Sequence, residues 1–289
     1  MLKQIFARLA PRRHAEAARP LAAPSGSIVE LPPVSPASLP ASYAERQANA
    51  AGIEGMFSTF SMQIMDAVLA QQARMGCTGH IFEFGVWRGR SACLLSGHVR
   101  DGERLVLCDI GQYLTEEVLG RLYVRPEFVL GSSAGFRHVM DLGPLRGRVR
   151  FAHVDSSHSY QDTLAEMRLV DELLAPDGVA CLDDFANLNY SQILPAVFRY
   201  LSTTDTDLEF FLVSNDKGYL CRRAAFADYG AFVLGHLVDE VRARGTDNVM
   251  LARTDAQPEY RAFYVRQAAA GEAGPFFGEH LYEEFYRSP

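Results

Sequence analysis

From Ile81 onward, short apolar runs that end in a polar or acidic residue alternate with longer stretches of helical character. The runs are His80–Glu83, Leu105–Asp109, Phe128–Gly131, Val149–Asp155 and Val179–Asp184. Their polar ends fall at 83, 109, 131, 155 and 183, a repeat of 22 to 28 residues. That spacing holds a strand, a crossover helix and two turns, and it predicts a mostly parallel sheet covered on both faces. Two further runs, Glu209–Val213 and Gly218–Cys221, flank Ser214-Asn215-Asp216-Lys217, whose turn chemistry predicts an antiparallel hairpin. Ahead of the sheet, Ser42 to about Ala73 reads as helical. Ile64, Met65, Val68 and Leu69 recur at helical spacing, and Met56-Phe57-Ser58 forms a break before them.

The two ends of the chain read differently. Residues 1–40 are rich in Ala and Pro and finish in Leu31–Pro40, which cannot sustain a helix or a paired strand, so a disordered tail is expected there. The basic start, Met1 to Arg13, is too short in its apolar part for a signal peptide; a solvated tail or a short amphipathic surface helix would suit it. A ligand-binding domain is expected over 41–223 and an extension over 224–289. The extension opens with a helix to about Arg244. It then carries Tyr260, Phe263, Tyr264, Phe276, Phe277, Tyr282, Phe285 and Tyr286, too many aromatics to leave in water. Packing on the sheet or on a second copy in a homo-oligomer is expected ahead of contact with a substrate.

Composition narrows the class. With 48% hydrophobic and 22% charged residues in 289, the chain is that of a globular protein. A net charge of -7 gives no general attraction to nucleic acid, and no apolar run reaches the length of a membrane span, so neither partner is expected. The five cysteines are scattered, without the close pairs of zinc or redox motifs, and point to a reducing, cytoplasmic compartment.

Ligands of open parallel sheets bind outside the carboxyl ends of the strands, and those ends carry Glu83, Asp109, Ser132, Asp155, Asp183 and Asp184. The turn Gly85-x-x-x-Gly89 lets backbone approach a ligand and leads into a helix near Arg90. It lacks the spacing of a dinucleotide fingerprint, and no phosphate-loop lysine follows. Glu83 sits badly beside a pyrophosphate but well beside an amino group. S-adenosylmethionine offers that amino group together with a carboxylate and a sulfonium. Asp109 suits two vicinal hydroxyls, since one carboxylate can accept from both; a helix N-cap is its other reading.

The segment Glu83-x-Gly85-Val86-Trp87-Arg88-Gly89, with Val154-Asp155 and Leu182-Asp183-Asp184-Phe185, resembles the macrocin O-methyltransferase family and its wider class I relatives, including the cephalosporin-hydroxylase-like group. The likeness spans roughly residues 55 to 222. It implies an α/β, Rossmann-like methyltransferase fold with a mostly parallel seven-stranded sheet and an antiparallel C-terminal hairpin. It places Glu83, Gly85 and Gly89 at the methionine end of the cofactor, Asp109 at the ribose and Ser132 or Ser133 near the adenine. Trp87, Ser91 and Asp155 join that set, Trp87 either covering the ligand or packing the loop.

The same likeness makes the fourth and fifth strands neighbours, so that Asp155, Asp183 and Asp184 could share one Mg²⁺. Such an ion would lower the pKa of an acceptor hydroxyl and fix it in line with the methyl carbon. Asp183 or Asp184 acting as a cap or salt bridge is the competing reading. His158, in Asp155-Ser156-Ser157-His158-Ser159-Tyr160, departs from the Gly-Asp-Met of the macrocin type and approaches an Asp-x-x-His-x-Tyr pattern. It is either the base beside Asp155 or a satisfied histidine, and His153 inside the strand reads as core. The expected activity is Mg-assisted O-methylation of a small-molecule hydroxyl, on a sugar or glycosylated natural product. A different reaction on the same scaffold, a non-catalytic cofactor-binding protein and, last, a dehydrogenase are the alternatives.

Overall fold

The computed structural model describes residues 26–40, 42–253 and 260–268, and the backbone of 280–281. Its parallel strands are β2 (His80–Phe84), β3 (Leu105–Asp109), β4 (Glu127–Leu130), β5 (Val149–Val154) and β6 (Leu174–Leu182), preceded by a short β1 (Ser27–Val29). They are followed by β7 (Leu208–Ser214), β8 (Lys217–Arg222), β9 (Val249–Ala252), β10 (Phe263–Gln267) and β11 (His280–Leu281). The strand order is β1-β4-β3-β2-β5-β6-β8-β7-β10-β9-β11. The neighbours from β4 to β6 pair in parallel, and β8 runs antiparallel to both β6 and β7, which is the expected hairpin. This is the mostly parallel α/β architecture of Rossmann-like folds.

The chain builds β2, β3 and β4 outward in one direction, then returns to lay β5 on the other side of β2. The strand order therefore reverses between β2 and β5, where Glu83 lies opposite His153 and Phe84 opposite Val154. A crevice opens at such a reversal because the two crossover connections leave on opposite faces of the sheet.

Helices cover both faces. On one lie α1 (Tyr43–Ala50), α2 (Thr59–Met75) and α3 (Arg90–Ser96), joined by α7 (Phe226–Phe232) and α8 (Val238–Ala243), with a π-helical turn between the last two. The other carries α5 (Tyr160–Leu173) and α6 (Ile193–Thr203), while α4 (Glu116–Arg121) follows β3. Ser58 caps α2 by accepting from the Ser61 N–H, and Gly76 ends it with φ 73°. Asp66 of α2 is fully buried and holds Arg46 of α1, His98 beyond α3 and Arg244 at the end of α8 at 2.6, 2.7 and 2.9 Å. A buried carboxylate persists there because two arginine cations and the His98 ring, from three other segments, replace its water.

The expected seven strands form the centre of an eleven-stranded sheet, extended by β1 on one side and by β10, β9 and β11 on the other. Two expectations need correction. Residues 26–40 are no free tail: Ser27–Val29 pairs antiparallel with Phe128–Leu130, and Leu31 is buried. The Ala37 N–H also donates to the Leu122 carbonyl at 2.8 Å. No proline falls between Pro24 and Pro32, and two β-branched residues, Ile28 and Val29, suffice to pair. Nor does position 223 divide the fold, since β10 pairs in parallel with β7 and the side chain of Phe263 is buried. Tyr260 packs on Phe198 and Phe210, whereas Tyr264 is partly exposed. Phe276, Phe277, Tyr282, Phe285 and Tyr286 lie outside the described residues. Among the described residues no helix is long and apolar enough to cross a membrane.

Candidate active site

β2 ends at Phe84, and the chain turns at once through Gly85, at φ 84°, Trp87, at φ 48°, and Gly89, at φ 87°, into α3. Gly85 is required twice over: its backbone is left-handed, and a side chain there would overlap the Asp155 carbonyl. At Gly89 an added methyl would press into Leu114, so this glycine serves packing. Asp109 holds the turn in shape. Its Oδ2 accepts from the Val86 and Trp87 N–H groups at 2.7 and 2.8 Å, and its Oδ1 accepts from Gly111 N–H at 3.1 Å. The carboxylate thus clasps the loop in place of capping a helix, while it also faces the crevice.

The crevice is a cavity of about 450 Å³, within the range of small-molecule sites. It brings together Gly85, Trp87, Ser91, Asp109, Ser132, Ser133, Asp155, His158, Asp183 and Asp184. Glu83 and Gly89 lie behind its wall. Gly55, Met56 and Phe57 form another side, while Ser58 caps α2, so the break before that helix both closes the cavity and starts the helix. Trp87 lines the mouth with its ring 5.0 Å from Tyr113, and Arg88 lies over it at 5.5 Å.

Beneath the cavity runs a buried polar chain. Glu83 Oε1 meets His153 Nδ1 at 2.8 Å, His153 Nε2 lies 3.7 Å from Asp183 Oδ2, and Asp183 Oδ1 accepts from Lys217 Nζ. Burial alone would push the His153 imidazole down, but Asp183 and Glu83 outweigh it and raise the pKa to about 9. Burial pushes the Glu83 carboxyl up. Among the described residues its Oε2 is buried with no hydrogen-bond partner. His153, expected in the core, is buried but also reaches the cavity wall. Lys217 reads in the sequence as a turn residue; its burial could not be inferred without the register of β8 against β6.

Nearer the mouth, His158 Nε2 stands 3.2 Å from Asp155 Oδ1 and 3.3 Å from Asp184 Oδ2, with Tyr190 stacked on its ring at 4.3 Å. The hydrogen bond to Asp155 raises the imidazole's pKa ahead of the opposing effect of burial, while burial raises that of Asp184. His158 and Asp184 have φ values of 56° and 53°. With Trp87 they are three of the four described non-glycine residues in the left-handed region, and all three line the cavity. Such strain is retained where surrounding contacts fix it, commonly at functional sites.

Among the described residues, three sets of side chains bring ligand atoms within 4.8 Å of one another: His153 with Asp155 and Asp183, Asp155 with His158 and Asp184, and Asp183 with Asp184 and Asp216. The expected trio of Asp155, Asp183 and Asp184 is thus shared out among these sets. Asp183 salt-bridges to Lys217, the competing arrangement for that residue.

On the far wall, Ser132 caps a 3-10 turn by accepting from Gly135 N–H at 3.2 Å. Ser133 instead bonds through its hydroxyl to Glu166 of α5. Glu166 carries no signal in the sequence, where it looks like one more charge on an amphipathic helix.

Residues 82–185 match a methyltransferase domain family. The match covers the turn after β2 through the end of β6 and supports a class I methyltransferase that uses S-adenosylmethionine. No curated protein gives a significant match to the sequence. Among solved structures, the O-methyltransferase NovP is similar at 18% identity and a TM-score of 0.45, covering 56% of this chain and 80% of that one. CalS11, a TDP-rhamnose 3'-O-methyltransferase of calicheamicin biosynthesis, has 16% identity and a TM-score of 0.44, covering 62% and 93%. The SAH-bound methyltransferase PaMTH1 of Podospora anserina has 16% identity and a TM-score of 0.46, covering 65% and 90%.

Proposed function

We propose that this protein transfers the methyl group of S-adenosylmethionine to a hydroxyl of a small molecule, a sugar or a glycosylated natural product. The observation that carries the reading is the placing of the Gly85 turn and of the Asp155–His158–Asp184 cluster on one cavity. The turn and Asp109 suit the cofactor, and the cluster suits the chemistry. The unpartnered Oε2 of Glu83, buried behind the turn, fits a cationic amino group as its missing donor.

His158 would receive the acceptor's proton at Nδ1, since Asp155 and Asp184 hold the ring through its Nε2–H. The acceptor oxygen then displaces the thioether at the methyl carbon, and the walls from Gly55–Phe57 and Trp87 keep water from competing. The donor set also fits a divalent cation. Asp155 and Asp184 would hold it, with Asp183 left to Lys217, and it would supply Lewis acidity to the acceptor hydroxyl.

The test is calorimetric titration with S-adenosylmethionine, its demethylated product and NAD, followed by transfer of labelled methyl to hydroxylated acceptors with Mg²⁺ or with a chelator. Binding of NAD alone would point to a dehydrogenase. Cofactor binding without transfer to any acceptor would remove the O-methylation reading. Undiminished transfer in the chelator would remove the cation.

A further inference from the structure

Glu166 is a buried carboxyl group, 4% exposed, whose partners are two hydroxyls in place of a cation. Its Oε1 accepts from both Ser133 Oγ and Ser156 Oγ, and those two oxygens lie 3.3 Å apart. Both serines line the cavity, whereas Glu166 stands behind them. Ser133 follows β4 and Ser156 follows β5, strands separated in the sheet by β3 and β2, so the two loops meet across the crevice floor. Burying a carboxyl this deeply carries a desolvation cost that the fold could avoid with an apolar residue.

What Glu166 does is set the direction of two hydroxyl protons. A serine hydroxyl has one proton and two lone pairs, and here each proton points away from the cavity toward Oε1. The cavity is left facing two acceptor oxygens. A ligand group at this wall must therefore donate hydrogen bonds; one that accepts meets lone pair against lone pair.

The position along the cavity says which ligand group that is. This step rests on the cofactor reading proposed above. A cofactor with its amino-acid end at the Gly85 turn after β2 and its ribose at Asp109 after β3 continues past the next strand end, β4. There Gly131, Ser132 and Ser133 wait, one strand spacing of about 4.8 Å further on. That end of the molecule is its purine.

We propose that Glu166 is a positioning residue that makes this cavity selective for a 6-aminopurine over a 6-oxopurine, by holding Ser133 and Ser156 as paired acceptors for the exocyclic amine. The test compares affinities of the full-length protein for S-adenosylhomocysteine and S-inosylhomocysteine, which differ in that group and in the proton that N1 carries with the 6-oxo form. The wild type should prefer the amino form by about 100-fold or more, since sites built around a hydrogen bond reject analogues that cannot make it. Glu166→Leu, which frees both hydroxyls to turn, should reduce the preference to below about 10-fold, whereas Glu166→Gln keeps a carbonyl acceptor and should retain it. The Ser133→Ala/Ser156→Ala double variant should behave like Glu166→Leu and decides the matter if the leucine variant does not fold. A folded Glu166→Leu or double-serine variant with the wild-type ratio overturns the proposal, as does a wild type that binds both compounds equally. A wild type that binds neither compound overturns the cofactor reading and this proposal together, and is recognised before any variant is made.

Discussion

Gly85 and the Asp155 main-chain carbonyl are in such close contact that even a methyl group on Gly85 would overlap it. The Asp155 N–H also donates to the Phe84 carbonyl at 2.7 Å, so the Gly85 turn and the residue that opens the Asp155–His158–Asp184 cluster are locked together by backbone alone. Gly85→Ala must therefore shift both. It should cost about 2–3 kcal/mol of stability through the left-handed backbone and the clash. S-adenosylhomocysteine affinity should fall at least about tenfold, an amount equal to roughly 1.4 kcal/mol. Thermal melting and calorimetry on the one variant check both effects.

His158 is tested by separating binding from transfer. With His158→Gln, methyl transfer should drop about 10²- to 10⁴-fold, the usual contribution of a positioned base. S-adenosylhomocysteine affinity should stay within a few-fold, because the imidazole meets Asp155, Asp184 and Tyr190 in place of the turn after β2. A variant that transfers at the wild-type rate would assign the base elsewhere.

Lys217 and Asp183 are tested as a pair. Lys217→Met leaves the nearly buried Asp183 carboxylate with only the more distant His153 ring, 3.7 Å away, and should cost about 3–5 kcal/mol in urea unfolding. Adding Asp183→Asn to Lys217→Met should restore most of that loss, since no unpaired charge then remains. Equal damage in the single and double variants would show that the ammonium's place over the Phe57 ring, 5.5 Å from its centroid, matters more than its pairing with Asp183.

The pH dependence of stability reports on His153. Its pKa is raised to about 9 in the folded protein against about 6.5 in an unfolded chain, so the folded state binds the extra proton. This contribution is fully present below about pH 6.5 and is lost as pH rises through about 9. Melting temperature should fall as pH rises through that window, with the unfolding free energy at fixed temperature dropping by on the order of 1–3 kcal/mol. The slope should flatten in His153→Gln, and a wild type insensitive to pH there would show that His153 is neutral in the native protein.

The strand ends were legible because apolar runs that close on a polar residue declare both the strand and the side of the sheet on which a ligand would sit. Asp109, Asp155 and Asp184 all line the cavity for that reason. Tertiary pairing was not legible. Lys217 looks like turn chemistry until β8 is laid beside β6, which carries its ammonium under the cavity. Val249–Ala252 and Phe263–Gln267 are too short and too mixed to stand out as strands; β7 offers a partner to Phe263–Gln267, which in turn offers one to Val249–Ala252. Glu166 resembles any helical glutamate, and only the meeting of loops from β4 and β5 singles it out.

The pairing of Ser27–Val29 with β4 also has a colloidal consequence. These three residues occupy the hydrogen-bonding side of Phe128–Leu130 that the parallel strands leave bare, and a bare strand side is a template on which another molecule can add its own. A chain shortened to begin at residue 42 should retain the cavity yet self-associate with rising concentration, which light scattering would detect. For this sheet, the segment that looks most dispensable on paper is a guard against polymerisation.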